Sequence, residues 1–384
     1  MRKVAVLGIG QTKVAEQWEK SLRVIAGEAV LAALGDAGRE SADGMFVGNM
    51  LSGALSRQEN VGALIADWVG LRGMEAVKVE AACGSGAAAV RMAMMAVSAG
   101  MMDCAVAVGV EKMSETLGME TTAALATAAD ADWESAQGVT FVAINAMVMR
   151  RYLHEYGWKH TDFAPFSINA HANALHNPNA RLHEPITPTD YGRARMVADP
   201  INLLDASPTG DGAAALVLVA ADSLHGLARP LITLEGSAAA TDTLAVHDRA
   251  DPLWLVAAEM SAKKAYAQAG VGPGDIDVFE LHDAFSIMAA LSLEASGFAE
   301  RGQGPRVAQD GQIGPKGKIP IATLGGLKAR GHPVGATGAY QIVEVVQQLR
   351  GEAGECQVPG AKIGMAQNIG GSGANILTHI LRAN

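Results

Sequence analysis

Cysteine is scarce in this chain. Only Cys83, Cys104 and Cys356 occur in 384 residues, and no CxxC pair or HExxH segment is present. An odd, sparse set excludes a disulfide framework and points to a reducing cytoplasm. It also leaves no ligand pattern for a zinc site, so no metal is expected. Aromatic residues make up only 4%, so the core must be aliphatic, with 17 Met among its fillers. Charged residues are 18% against 49% hydrophobic, a balance unlike that of disordered chains. The formal charge is 30 − 40 = −10, which disfavours nonspecific association with nucleic acid or anionic lipid. An anionic small ligand would need a locally basic pocket. No apolar run reaches the ~18–20 residues of a membrane span. The basic-then-apolar start Met1–Gly10 is too short for a secretory core and reads as a first strand. Neither a GxGxxG after a strand nor a GxxxxGK[ST] loop occurs. With 44 Gly and 14 Pro but no triplet period, collagen is excluded.

What is present is an alternation of apolar runs and Ala-rich helical stretches. Val4–Ile9, Gly44–Val47, Val77–Glu80 and Cys104–Gly109 read as strands, with helices over Leu22–Leu34, Val61–Val69 and Gly86–Ser98. Strands that are apolar throughout are buried on both faces, which indicates a layered α/β fold with a largely parallel sheet. The second half repeats the theme: strand Leu231–Gly236, helix Ala257–Ala269, strand Ile276–Leu281, helix Ala339–Leu349, strands Lys362–Ala366 and Asn375–Leu381. Strand, polar turn and helix recur at Val77–Ser98 and Ile276–Ala295, as in a duplication. Between the halves, Trp133 to Pro200 holds five of the ten histidines and reads as an insertion folded over a site, with helices near Phe141–Tyr156 and Thr161–Ala174. The expected division is 1–118, an inserted loop domain 119–205, a return to the first half over 206–230, and a second half 231–384.

Two segments carry chemistry. In Val79-Glu80-Ala81-Ala82-Cys83-Gly84-Ser85-Gly86 a strand runs through small residues into a helix. Cys83 then sits beside a helix N-terminus, where unpaired N–H groups favour the thiolate. The segment alone serves equally a close-packed structural cysteine. Cys104 lies in an apolar run and reads as core. Cys356 follows a polar turn and reads as a surface thiol. In Gly325–Gly338, five glycines surround one histidine, and such density suits a backbone that crowds a ligand. His332 is a candidate general base.

Ala-Ala-Cys83-Gly-Ser-Gly, Gly-His332-Pro-Val-Gly-Ala-Thr-Gly and Asn368-Ile-Gly-Gly-Ser-Gly373 resemble, in order, the three signatures of the thiolase superfamily. Ser207–Ala215 and Gly109–Ser114 are similar to it as well. Leu281-His282-Asp283-Ala284-Phe285 resembles the version in archaeal and sterol-carrier-protein-type thiolases, where others have Asn-Glu-Ala-Phe.

The resemblance implies a five-layer α-β-α-β-α fold of two similar halves. It also implies acyl transfer through a cysteine thioester, with coenzyme A thioesters as substrates and no bound cofactor. Carried over, Cys83 is the nucleophile, His332 the base and His282 a donor to the enolate-forming oxygen. The N–H groups of Cys83 and Gly370 form the oxyanion hole. Ser237 lies where the family approaches the pantetheine, and Arg249 and Lys328 are candidate phosphate contacts. The family implies a homodimer or homotetramer paired through the strand near Cys104–Val110, and a small zinc-ribbon/OB-fold partner. One departure stands out: the second catalytic cysteine, expected at Asn368 or Ala284, is absent. Three readings follow from that gap: a histidine moves the α-proton; the acceptor is an already activated carbon, as in a thiolase-like acyltransferase or lyase; or the chain is a partner-dependent scaffold.

Overall fold

The computed structural model describes residues 2–224 and 229–384. The strands are β1 (Val4–Gln11), β2 (Gly44–Gly48), β3 (Glu75–Val79), β4 (Cys104–Glu111), β5 (Met196–Ala198), β6 (Ile201–Asn202), β7 (Gly212–Ala220), β8 (Ile232–Thr241), β9 (Val278–Glu280), β10 (Ile363–Gly370) and β11 (Asn375–Ala383). Nine of them join in the order β3-β2-β4-β7-β1-β8-β11-β10-β9, while β5 and β6 form a separate hairpin. The run β2-β4-β7-β1 matches β9-β10-β11-β8 in order and in sense. The first pair of each run is parallel and the next two are antiparallel; the sheet is therefore mixed, with antiparallel pairings in the majority, and not largely parallel as expected. The halves meet where β1 runs antiparallel to β8 over Val4–Val6.

Apolarity on both faces of these strands follows from the layering. On β4, Ala105 and Ala107 face one cluster while Val106, Val108 and Val110 face another. The second cluster packs under the outer helix Leu22–Ala37. The first lies against two central helices, Ser85–Ser98 and Thr337–Arg350, which touch each other between the two half-sheets. The helix Val256–Ala269 covers β8 and β11 on the far side, completing five α-β-α-β-α layers.

The strand Cys104–Glu111 has a neighbour on each side, so it cannot pair across a subunit axis as expected. The free edge on that side is β3, where Val77 is 41% exposed. Residues 225–228 of the expected 206–230 return lie outside the described residues, and β7 occupies Gly212–Ala220 of it. The two helices expected between Trp133 and Pro200 are Phe141–Tyr156 and Ala164–Ala174; Thr161–Phe163, read as the start of the second, belong to a separate 3₁₀ turn, His160–Phe163. Among the described residues no helix is long and apolar enough to cross a membrane.

The central helices approach so closely that side chains are excluded at their contact. A Cβ on Gly86 would lie 2.8 Å from the Ala339 nitrogen, and one on Gly338 would lie 2.4 Å from that of Ala87 and 2.3 Å from Asn368 Oδ1. Gly338→Ala is therefore expected to cost roughly 1–3 kcal/mol, read as a lower urea midpoint; an unchanged midpoint would show that the contact can relax.

Candidate active site

The nucleophile turn is built by hydrogen bonds inside its own sequence. Ser85 Oγ accepts from the Ala81 N–H at 2.9 Å and donates to the Ala82 carbonyl at 2.6 Å. The Gly84 N–H also returns to Ala81 O at 2.9 Å. These bonds hold Ala82 at φ 50°, in the left-handed region that a Cβ disfavours. Cys83 is thereby set just before the helix Ser85–Ser98, 9% exposed, on the wall of a cavity of about 220 Å³.

That cavity is lined from widely separated parts of the chain, among them Phe141 and Asn145 of one helix and His282, Ala284, His332 and Gly371 farther along. The imidazole rings of His282 and His332 stand 5.0 Å apart, edge to face. Cys83, His282 and His332 are thus brought together, as read from the sequence.

The two histidines are wired differently. His332 Nδ1 is 2.7 Å from Thr337 Oγ1, and the Thr337 hydroxyl donates to Pro333 O at 3.2 Å. With its proton so committed, Thr337 accepts from His332 Nδ1–H, which leaves Nε2 with a lone pair. His282 Nδ1 instead accepts from the Ile369 N–H at 3.3 Å and from Asn368 Nδ2 at 2.9 Å, which leaves its proton on Nε2. Burial, and then the positive Arg330, push His332 down to about 3. Burial, then His332 and Arg330, hold His282 well below the usual imidazole value. Both rings are neutral near pH 7.

The sulfur is also uncharged at rest. Burial and the nearby Glu111 push the Cys83 thiol up to about 12, against a downward pull from the N–H groups of Gly371 and of Cys83 itself. The helix-terminus expectation of a standing thiolate is corrected: desolvation outweighs the N-terminal dipole.

Other expected positions differ. Gly370 ends β10 with Ala81 O 2.4 Å from where a Cβ would stand, and it is Gly371, at φ 60°, that reaches the cavity wall. Lys328 is 1% exposed and donates to the Asp205 carbonyl, so it is not a surface cation. Arg249, 8% exposed, donates to Ser372 O at 2.8 Å and Thr243 O at 3.1 Å, anchoring the turn that carries Gly371. Ser237, expected near the pantetheine, lies inside β8 with its Oγ 3.2 Å from Arg91 Nη1. Cys356 is 2% exposed, with Sγ 3.2 Å from Asn173 O, and is not a surface thiol.

Glu111 escaped the sequence reading. Its buried carboxylate accepts from Asn49 Nδ2 (2.8 Å) and from the N–H groups of Met50 (3.0 Å), Leu51 (3.1 Å) and Gly335 (3.0 Å). It ties the loop after β2 to the loop carrying His332. Burial raises it to about 7 although these donors pull it down.

A thiol pushed up to about 12 remains protonated throughout the neutral range. Alkylation of Cys83 by iodoacetamide, in the absence of substrate, should climb about tenfold per pH unit from roughly pH 7 to 9. A plateau near neutrality would reveal a resting thiolate and overturn this electrostatic account.

Comparison with known proteins follows the same outline. Residues 4–222 match the family model "Thiolase, N-terminal domain" and residues 238–383 match "Thiolase C-terminal domain-like". An acetyl-CoA acetyltransferase of Methanothermobacter thermautotrophicus is 47% identical over 382 residues, covering 99% of both chains. Sterol carrier protein 2 of Homo sapiens is 31% identical over 395 residues, covering 98% of this chain and 72% of its own length. The solved structure of an "Ltp2-ChsH2(DUF35) aldolase" superposes with a TM-score of 0.87 at 27% identity, covering 99% of this chain and 98% of the other. The chain belongs to the thiolase family, with the family's fold.

Proposed function

We propose that this acyl-CoA C-acyltransferase makes or breaks a carbon–carbon bond through an acyl-Cys83 thioester, with an acetyl group as donor. The convergence of Cys83, His332 and His282 on one cavity carries this reading. In the first stage His332 Nε2 takes the Cys83 proton as the sulfur attacks the thioester carbonyl carbon. The N–H groups of Cys83 and Gly371 lie against the Cys83 sulfur, beside the carbon it attacks, and are the donors available to the oxygen as it becomes negative. The carbon–sulfur bond to coenzyme A then breaks, and the departing thiolate takes the proton back from His332.

The neutral resting state suits this sequence. A thiol and an imidazole carry no net charge into a buried site, so charge separates only while the substrate covers the cavity. A scaffold without chemistry would not need a cysteine and two neutral imidazoles lining one cavity.

A second reading is favoured by the missing sulfur. Ala284 lines the cavity, and the buried Asn368 is bonded to His282, so neither supplies a second thiol. An activated carbon acceptor, or a lyase reaction, would avoid the need for one. No Lys or Arg lines the cavity among the described residues. That supports a partner of the zinc-ribbon/OB-fold kind to hold the coenzyme A, in line with the DUF35 component that accompanies Ltp2 in the similar aldolase. The free β3 edge supports a homo-oligomer. Three free cysteines suit a reducing cytoplasm.

Exposure to acetyl-CoA should add one acetyl group to the intact protein, seen by mass spectrometry, and none to Cys83→Ala. Absence of the adduct in the wild type refutes the acyltransferase mechanism. Thiolysis of acetoacetyl-CoA, assayed with and without a DUF35-type partner, separates the readings: acylation with no thiolysis in either case favours the activated acceptor. If β3 is the subunit edge, Val77→Pro should convert the oligomer to monomer in light scattering, and an unchanged mass would remove that edge from consideration.

A further inference from the structure

We infer that Asn368 is a positioning residue that fixes His282 as a hydrogen-bond donor, leaving His332 as the one base that handles both the Cys83 proton and the proton on the α-carbon of the acyl-CoA. The inference rests on the acyl-Cys83 reading and deepens it by naming the group that works in place of a second cysteine.

The Ile369 N–H marks which His282 nitrogen holds the lone pair, and Asn368, the shorter contact at 2.9 Å against 3.3 Å, keeps it there. A backbone N–H can only donate, so His282 Nδ1, 3.3 Å away, is an acceptor. Asn368 at 2.9 Å must then present its NH₂ to the same nitrogen. Its Oδ1 is left buried without a hydrogen-bond partner, against Gly338, the residue without a side chain at that point. An unpartnered buried oxygen is costly, and the orientation persists because a flipped amide would set Oδ1 against the Nδ1 lone pair, two acceptors facing each other.

With Nδ1 doubly engaged, His282 has no lone pair facing the cavity. The other polar side chains on the wall, Thr122, Ser207, Thr209, Ser372 and Asn145, are not bases near neutral pH. Cys83 is acylated when the second acyl-CoA arrives. Among the described lining residues, that leaves His332 Nε2, whose Nδ1–H is held by Thr337.

The protons balance over the cycle. His332 first passes the Cys83 proton to the leaving coenzyme A thiolate and is neutral again. It then removes a proton from the α-carbon, and the C–H electron pair becomes an enolate whose oxygen is held by His282 Nε2–H. The enolate carbon attacks the Cys83 thioester; the carbon–carbon bond forms, the carbon–sulfur bond breaks, and the sulfur recovers its proton from His332. The reverse order serves cleavage. The 5.0 Å edge-to-face arrangement lets one ring address the oxygen while the other addresses the adjacent carbon.

Two measurements test this apart from the parent reading. Long-range ¹H–¹⁵N spectra of the histidine-labelled wild type should show the proton of His282 on Nε2 and that of His332 on Nδ1. A His282 proton on Nδ1 overturns the inference. Asn368→Asp, nearly isosteric, replaces the 2.9 Å amide donor by a carboxylate acceptor, which should outweigh the longer 3.3 Å contact from the Ile369 N–H and draw the His282 proton to Nδ1; a proton that stays on Nε2 would show that the Ile369 N–H alone fixes the ring and would overturn the role of Asn368. Exchange of the acetyl-CoA methyl protons in D₂O should then fall about 10²–10³-fold, as for loss of an oxyanion donor. In Cys83→Ala, which cannot be acylated, that exchange should persist; the added His332→Ala change should abolish it by about 10²–10⁴-fold. Exchange that survives loss of His332, or vanishes with Cys83 alone, refutes the single-base account. Failure of wild-type Cys83 to acetylate would instead refute the parent reading while leaving the two tautomers measurable.

Discussion

The contact between two central helices governs the rest of this molecule. The helices Ser85–Ser98 and Thr337–Arg350 come from different halves, and Gly86 and Gly338 let their backbones meet. Cys83 precedes the first helix by two residues and His332 precedes the second by five. Packing the helix starts together therefore brings the nucleophile and the base to one cavity, although they are far apart in the chain. The sheets on either side hold the pair in place. Except at the exposed edge strand β3, those strands are buried along most of their length.

Around that contact, polar atoms are bound in pairs that each fix one degree of freedom. Ser85 closes the turn that carries Cys83. Glu111 joins the loop after β2 to the backbone beyond His332. Arg249 holds the turn of Gly371 through Ser372 O. Thr337 and Asn368 then decide where the protons of two neighbouring imidazoles reside. Because the surroundings are dry, each such bond is stronger than in water, and each omission would leave a costly unpaired group.

The strands and helices of the two halves were legible in the sequence because their signals are local: apolar runs, Ala-rich helical spacing and glycine punctuation. Cys83 and His332 stood out for the same reason, each within a cluster of small residues. The errors share one cause. Arg249 and Lys328 read as phosphate contacts, yet carbonyls distant in the chain engage them, Ser372 O for Arg249 and Asp205 O for Lys328. Cys356 looked exposed beside Gly354 and Glu355, yet the insertion covers it through Asn173. Glu111 had no local signature, because its donors come from two other loops. The strand Cys104–Glu111 could not be recognised as an interior strand until β2 and β7 were seen on either side.

Desolvation explains why these partners matter more than the dipole of a helix. A helix terminus contributes on the order of 0.3–1 kcal/mol to a nearby charge at an exposed site, whereas each pKa unit of displacement corresponds to about 1.4 kcal/mol. A thiol pushed to about 12 is therefore governed by burial, and the dipole only moderates it. The same burial keeps both imidazoles neutral, so one can accept a proton while the other donates a hydrogen bond. Had either ring been charged at rest, it could not have served as a base, and its charge would have stabilised a standing thiolate. The dry cavity thus trades ground-state reactivity for a pair of groups that respond only when a thioester carbonyl is present to take up the developing charge.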